Sequence, residues 1–175
     1  MPIIKTIIAS LVTLTVTSSI TFSSGLLRTP ATIVGDNYGF TEGPVWVKHK
    51  KIWLFTDIPR NKIYSVDSNG NVNVWLEDAG YANGLNIDKH NNIWIAHHCR
   101  KVSKTTPKGK NYIIASTYNG KKLNSPNDIA IKKDGSTWFT DPMYGITLKG
   151  FGCEVAKEEQ SVRGVYQIKD GKVTL

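Results

Sequence analysis

One unit occurs three times in this chain, and it limits the fold more than any other feature. A polar residue near the start of an apolar segment is followed eleven residues later by tryptophan: Glu42 and Trp53, Asn83 and Trp94, Asn127 and Trp138. Matching turns lie between them: Lys48-His49-Lys50-Lys51, Lys89-His90-Asn91-Asn92 and Lys132-Lys133-Asp134-Gly135. The Asp-Gly of the last suits a hairpin loop that needs a positive φ. A short strand follows each tryptophan, at 54–57, 95–98 and 139–141. A second hairpin closes each unit, joining 61–64 to 69–72, 101–104 to 108–110, and 164–167 to 170–173. The leading residues stand 41 and 44 positions apart. Four short strands in a period of about 40–45 residues are what propeller blades produce. Aligning Leu54-Phe55-Thr56-Asp57 with Trp138-Phe139-Thr140-Asp141 would slip the first unit by one, so the register is defined to about one position. The predicted fold is all-β: three four-stranded antiparallel blades of a β-propeller, an incomplete ring, since known propellers need at least about four.

Residues 1–35 have a different character. They hold Lys5, Arg28 and no acidic residue, and 7–16 form an apolar run after a short positive stretch. That is the pattern of a signal peptide, with Ser18, Ser19, Ser23, Ser24 and Gly25 as small residues for cleavage. The run is short and Thr-rich for a membrane span. The domain reading is therefore an export signal or N-terminal anchor over 1–30, with an internal strand as the remaining alternative, and a truncated propeller domain over 31–175. The protein is expected to be exported: periplasmic, secreted or envelope-anchored. Of the net charge of +8, +6 remains on residues 36–175 once Lys5 and Arg28 are set aside. The basic residues are scattered over turns, with no aromatic-interleaved basic stripe, which argues against a nucleic-acid partner. The two cysteines, Cys99 and Cys153, suit an exported protein with one disulfide. Spacing does not show that they meet, and two free thiols are the equal alternative. His97-His98-Cys99 is a poor metal motif, because strand neighbours point to opposite faces.

The segment from Asn124 to Gly145, NSPNDIAIKKDGSTWFTDPMYG, carries oxygen-bearing side chains at both ends of a predicted hairpin. Taken singly, Asn127, Asp128 and Asp141 read as turn caps. Taken with the repeat, Asn127 shares one position with Glu42 and Asn83, which a propeller's symmetry would bring to its axis. Trp46, Trp53 and Trp75 are expected in the blade core. An insertion over 144–163 holds Gly150, Gly152, Cys153 and the acidic residues Glu154, Glu158 and Glu159. A lid or binding loop and a solvated excursion are equally open readings of it.

These residues resemble the gluconolactonase family, whose relatives include the senescence-marker/regucalcin lactonases. The matching runs are Thr41-Glu42-Gly43-Pro44-Val45-Trp46, Asn83-Gly84-Leu85, His98 with Arg100-Lys101-Val102, and Leu123 to Asp128 continuing to Trp138–Gly145. The resemblance covers roughly 39–175. It implies a six-bladed propeller that hydrolyses sugar lactones or related esters with one divalent cation in the central channel. By position it makes Glu42 and Asn127 metal ligands and Asn83 a channel-lining, substrate-binding residue. It places His98 and Asp141 where they would touch substrate, with a structural role as the alternative. Oxygen donors suit Ca²⁺ first, with Mg²⁺, Zn²⁺ or Mn²⁺ as alternatives. The catalytic base belongs to later blades in the family, so no catalytic residue is assigned, and the chain alone is expected to be inactive. Cys99 departs from the family pattern, standing where relatives usually carry glycine. The competing reading is a non-enzymatic binding scaffold, or a fragment that needs a complementing half or self-associates through open blade edges.

Overall fold

Turn chemistry explains where the strands begin and end. In the loops 67–71, 88–92, 106–110 and 132–136 the first N–H donates to the fifth carbonyl, at 3.1, 3.1, 2.9 and 2.8 Å. The fourth N–H donates back to the first carbonyl in each. That fourth residue must be left-handed, and Gly70, Asn91, Gly109 and Gly135 take φ of 82°, 62°, 83° and 88°. Glycine and asparagine meet this need with little strain. In the loops opened by Asp67 and Asp88, the aspartate side chain also accepts from the backbone N–H groups two and four residues on. The hairpin register therefore depends on local sequence.

The computed structural model describes residues 31–175. The chain divides into Met1–Ile33 and Val34–Leu175, and the expected export segment at 1–30 lies outside the described residues. The strands are β1 Thr41–Val47, β2 Ile52–Asp57, β3 Lys62–Val66, β4 Val72–Leu76, β5 Ala82–Ile87, β6 Ile93–His97, β7 Lys101–Thr105 and β8 Asn111–Ala115. After them come β9 Thr117–Tyr118, β10 Lys121–Lys122, β11 Ile129–Ile131, β12 Thr137–Thr140, a short helix α1 Tyr144–Thr147, β13 Val165–Lys169 and β14 Lys172–Thr174. They form three four-stranded antiparallel sheets in sequential order, β1 to β4, β5 to β8 and β11 to β14. The all-β, blade-type architecture read from the repeats is what the chain adopts. The β9–β10 ribbon, turned by Asn119-Gly120, and α1 inside the insertion were not anticipated.

The register settles the one-residue slip. Val45 pairs with Leu54, Asn86 with Trp94, and Ala130 with Trp138. Leu54, not Trp53, is thus the counterpart of Trp94 and Trp138. The cause is a first hairpin that is one residue longer in all. Its turn holds four residues where the later turns hold five, but its strands carry one more pair, Val47 with Ile52. Nine positions therefore separate Val45 from Leu54, and eight separate Asn86 from Trp94.

The same register corrects the expectation for two tryptophans. Val47, Leu54 and Ile63 face the second sheet and pack with Ala82, Leu85, Ile93 and Ile95. Alternation sends Trp46 and Trp53 to the opposite face, where they stay 40% and 49% exposed with ring centroids 5.4 Å apart. Trp75 packs at the edge of the core, as expected. A second core lies between the next two sheets, where Trp94, Ala96 and Val102 meet Ile129, Phe139 and Tyr166.

The leading strands β1, β5 and β11 pack side by side. Gly43 and Gly84, each one residue past the repeat's polar position, allow this. A Cβ on Gly43 would lie 2.2 Å from the Asn83 carbonyl oxygen. A Cβ on Gly84 would lie 2.7 Å from both the Asn127 carbonyl oxygen and the Asp128 Cα. The Gly84 N–H also donates to that Asn127 carbonyl at 2.7 Å. Gly84→Ala is therefore expected to destabilise the fold by about 1–3 kcal/mol, because backbone rather than a movable side chain must give way. Urea unfolding of the variant checks this, and an unchanged midpoint would refute the close approach.

Candidate functional site

The end of the second strand of each sheet has a common task. Asp57, His97 and Asp141 occupy equivalent positions, one residue past Thr56, Ala96 and Thr140, and all three are buried. Each grips the segment that leads into its own blade. Asp57 accepts from the Gly39 and Phe40 N–H groups at 2.9 and 3.1 Å. His97 Nδ1 lies 2.8 Å from the Ala79 carbonyl, and its Nε2 lies 2.7 Å from Ser103 Oγ. Asp141 Oδ2 accepts from the Asn124 N–H at 2.8 Å. Asp141 is buried like Asn83 and His98, but it bonds to Asn124 and not to Asn83, His98 or Asn127, which makes it a connector clamp inside the third blade. Burial pushes its carboxyl up to about 6, against hydrogen bonds from Asn124 and Ser125 and the nearby Arg100 charge. Burial, helped by the Lys101 charge, pulls His97 down to about 4.

One residue further on, the chain turns, and here three of the predicted residues meet. The His98 N–H donates to the Tyr81 carbonyl at 2.9 Å, which fixes the turn. Its imidazole is 2% exposed. His98 Nε2 lies 3.0 Å from Asn83 Nδ2 and 3.4 Å from Asn127 Nδ2. Asn83 and Asn127 thus converge from β5 and the start of the third blade onto one imidazole. Burial lowers the His98 pKa, while its hydrogen bond to Phe151 works the other way. Glu42 stands in β1 opposite Thr56, exposed, with Gly43 wedged against the Asn83 backbone. Thr56 Oγ1 donates to the Asn83 carbonyl at 3.0 Å, tying the first two blades at this point.

The insertion packs against His98. His98 Nδ1 lies 2.7 Å from the Phe151 carbonyl. A Cβ on Gly145 would fall 2.4 Å from His98 Cβ, and one on Gly152 would fall 1.9 Å from the Gly145 carbonyl. Cys99 and Cys153 are joined by a disulfide with Cα atoms 5.1 Å apart. Arg100 secures the same segment: Nη1 lies 3.3 Å from Glu154 Oε1, Nη2 lies 3.1 Å from Glu159 Oε1, and Nε donates to the Leu123 carbonyl at 2.7 Å. Gln160 Nε2 donates to carbonyls of the β9–β10 ribbon, Lys121 at 2.8 Å among them. The segment 144–163 is thus anchored at Gly145, Phe151, Cys153 and Gln160, while 147–150, 153–155 and 161–163 remain exposed. Sequence reasoning missed the Phe151 carbonyl, since a main-chain acceptor has no residue signature.

Residues 40–167 match the family described as SMP-30/Gluconolactonase/LRE-like region. The chain belongs to that family. A curated relative, the gluconolactonase of Zymomonas mobilis subsp. mobilis, is 31% identical over 165 residues, covering 85% of this chain and 46% of that protein. The solved gluconolactonase of Xanthomonas campestris is 29% identical at a TM-score of 0.75, covering 79% of this chain and 47% of that one. A structural-genomics target provisionally named a gluconolactonase gives 31% and 0.76, covering 81% of this chain and 49% of its own. This member of the SMP-30/gluconolactonase family thus spans about half the length of the relatives it matches.

Family resemblance implies a divalent cation, and the donor set can be tested against one. Among the described residues no three of His, Cys, Asp and Glu gather, which disfavours a transition-metal site of nitrogen and sulfur ligands. Glu42 and Asn127 offer a carboxylate and an amide oxygen, the hard donors that calcium or magnesium takes. The residues fit such an ion.

Proposed function

We propose that this chain supplies cation- and substrate-holding groups of a metal-dependent hydrolase of sugar lactones. The meeting of Asn83, His98 and Asn127 beside the inner strands carries the reading, in a family whose similar members include gluconolactonases. Glu42 and Asn127 are the residues that would hold the ion, with Asn83 beside them toward substrate. When bound, a divalent cation, calcium first with magnesium, zinc or manganese as alternatives, supplies Lewis-acid polarisation and charge for a developing oxyanion. The Glu42 carboxylate provides the negative charge that favours cation occupancy. Asn127 presents an oxygen to the ion and Asn83 one toward substrate, and buried His98 keeps both amides in place. No described residue is assigned as the base. An exported location is part of this proposal; it draws support from the signal-like pattern at 1–30 and from the disulfide, which suits an oxidising compartment.

Calcium titration followed by calorimetry tests the reading. Two protein donors against the roughly 6–8 oxygens a calcium site takes predict a dissociation constant on the order of 10⁻³ M or weaker. Glu42→Gln keeps the shape but removes the charge, and is expected to abolish that binding. Hydrolysis of a sugar lactone by the chain alone should stay near background, as a missing general base commonly costs about 10²–10⁴ in rate. Equal calcium binding by wild type and Glu42→Gln would sink the assignment. Cation-dependent turnover lost in that variant would show that the described residues suffice without a further base.

A further inference from the structure

We infer that His98 is a positioning residue: its Nδ1–H is held by the Phe151 carbonyl, which leaves Nε2 to accept from both asparagine amides and turns the Asn83 and Asn127 Oδ1 atoms away from the ring. The cation part of this inference rests on the lactone-hydrolase reading; the tautomer part does not.

The argument runs through donors and acceptors. A backbone carbonyl can only accept, so the 2.7 Å contact from His98 Nδ1 to the Phe151 oxygen requires a proton on Nδ1. The ring is buried, and no carboxylate is among its hydrogen-bond partners, so the neutral form is the one the site accommodates. A neutral imidazole protonated at Nδ1 carries a lone pair at Nε2. Only an N–H can face that lone pair, so both asparagines present Nδ2 to it, at 3.0 and 3.4 Å. An amide is planar, so each Oδ1 then points the other way. One carbonyl in the insertion therefore decides the orientation of two amides on separate blades. Were Phe151 withdrawn, Nε2 could take the proton and both amides would be free to flip.

The placement of Phe151 depends on features particular to this segment. Cys153 is tied to Cys99, the neighbour of His98. Gly152 rests on the Gly145 carbonyl, and Gly145 on the His98 Cβ, at approaches that no larger residue permits. Arg100 draws in Glu154 and Glu159 from the same insertion. The insertion acts as a strap that holds His98 and, through it, the Asn83 and Asn127 amides.

Two measurements test the inference on the full chain. Two-bond ¹⁵N–¹H correlation spectra of the cation-free protein at neutral pH should show His98 Nδ1 protonated and Nε2 bare. Protonation at Nε2, or at both nitrogens, would overturn the inference whatever the cation does. Calcium affinity, read by calorimetry, should survive His98→Gln within about 3-fold, because the glutamine oxygen can accept where Nε2 does, while His98→Leu should weaken it by about 10–100-fold. Equal loss in both variants, or loss in neither, would also overturn it. If wild type binds no calcium at all but the Nδ1–H tautomer is found, the hydrolase reading fails and the positioning of the amides stands.

Discussion

Replacing both Cys99 and Cys153 with serine is expected to lower the stability of the chain by about 4 kcal/mol. The bridge spans a sequence separation of 54. A cross-link over a loop of that size removes closure entropy from the unfolded chain, and the logarithmic dependence on loop length gives roughly this figure at room temperature. For a domain of this size the loss corresponds to a drop of about 8–16 °C in melting temperature. The cost also falls on a particular place, since the bridge joins the turn after β6 to the insertion that covers His98. Thermal melts of oxidised, reduced and doubly substituted protein decide the matter. A melting temperature within about 2 °C across all three would show that the two cysteines do not form a stabilising bridge.

Asp141→Asn is expected to stabilise the protein at neutral pH by about 1–3 kcal/mol, and to uncover a pH dependence that the wild type conceals. The Asp141 carboxyl titrates near 6 in the fold against 3.8 for the free group. The folded state therefore holds more protons than the unfolded one between those values, so stability falls as pH rises from about 4 to 6. His97 titrates near 4 against 6.5 for the free group. Here the unfolded state holds more protons, and stability falls as pH drops from 6.5 toward 4. The two groups occupy the same position in successive repeats and oppose each other over nearly the same window. Wild type should thus be nearly flat between about pH 4 and 6 as far as these groups set the slope. Asp141→Asn leaves only the histidine slope, so its stability should decline on acidification. His97→Gln leaves only the aspartate slope, so its stability should rise on acidification. Urea unfolding at intervals across that window measures all three. An Asp141→Asn variant less stable than wild type at pH 7 would mean that the Asn124 and Ser125 hydrogen bonds and the Arg100 charge outweigh the burial of the carboxylate.

Much of the architecture is local chemistry and was therefore legible in the chain. The hairpin loops have glycine or asparagine where φ must be positive, and strand alternation marks Val47, Leu54 and Ile63 as core, though the expectation that Trp46 and Trp53 join them is one the structure corrects. The equivalence of Glu42, Asn83 and Asn127 also followed from spacing, because a repeat unit places like positions alike. A one-residue slip was the limit of that reading. A first hairpin longer by one residue moves Trp53 to the other face, and the pairing of Val45 with Leu54 shows it.

What spacing could not supply were relations between residues far apart in the chain. Cys99 finds Cys153, and His98 finds the Phe151 carbonyl 53 residues away, through a fold that returns the insertion over the second blade. Asp141 and His98 looked alike as strand-end candidates. Tertiary packing separates them: Asp141 turns inward to hold the Asn124 backbone, while His98, one step beyond the equivalent clamp residue His97, reaches toward Asn83 and Asn127. The chain by itself determined the repeat, its hairpins and the residues at its inner ends, because those depend on neighbours along the backbone. The tertiary structure alone decided which side chains share a buried space, and so which of them hold the site's polar atoms and which hold the blades together.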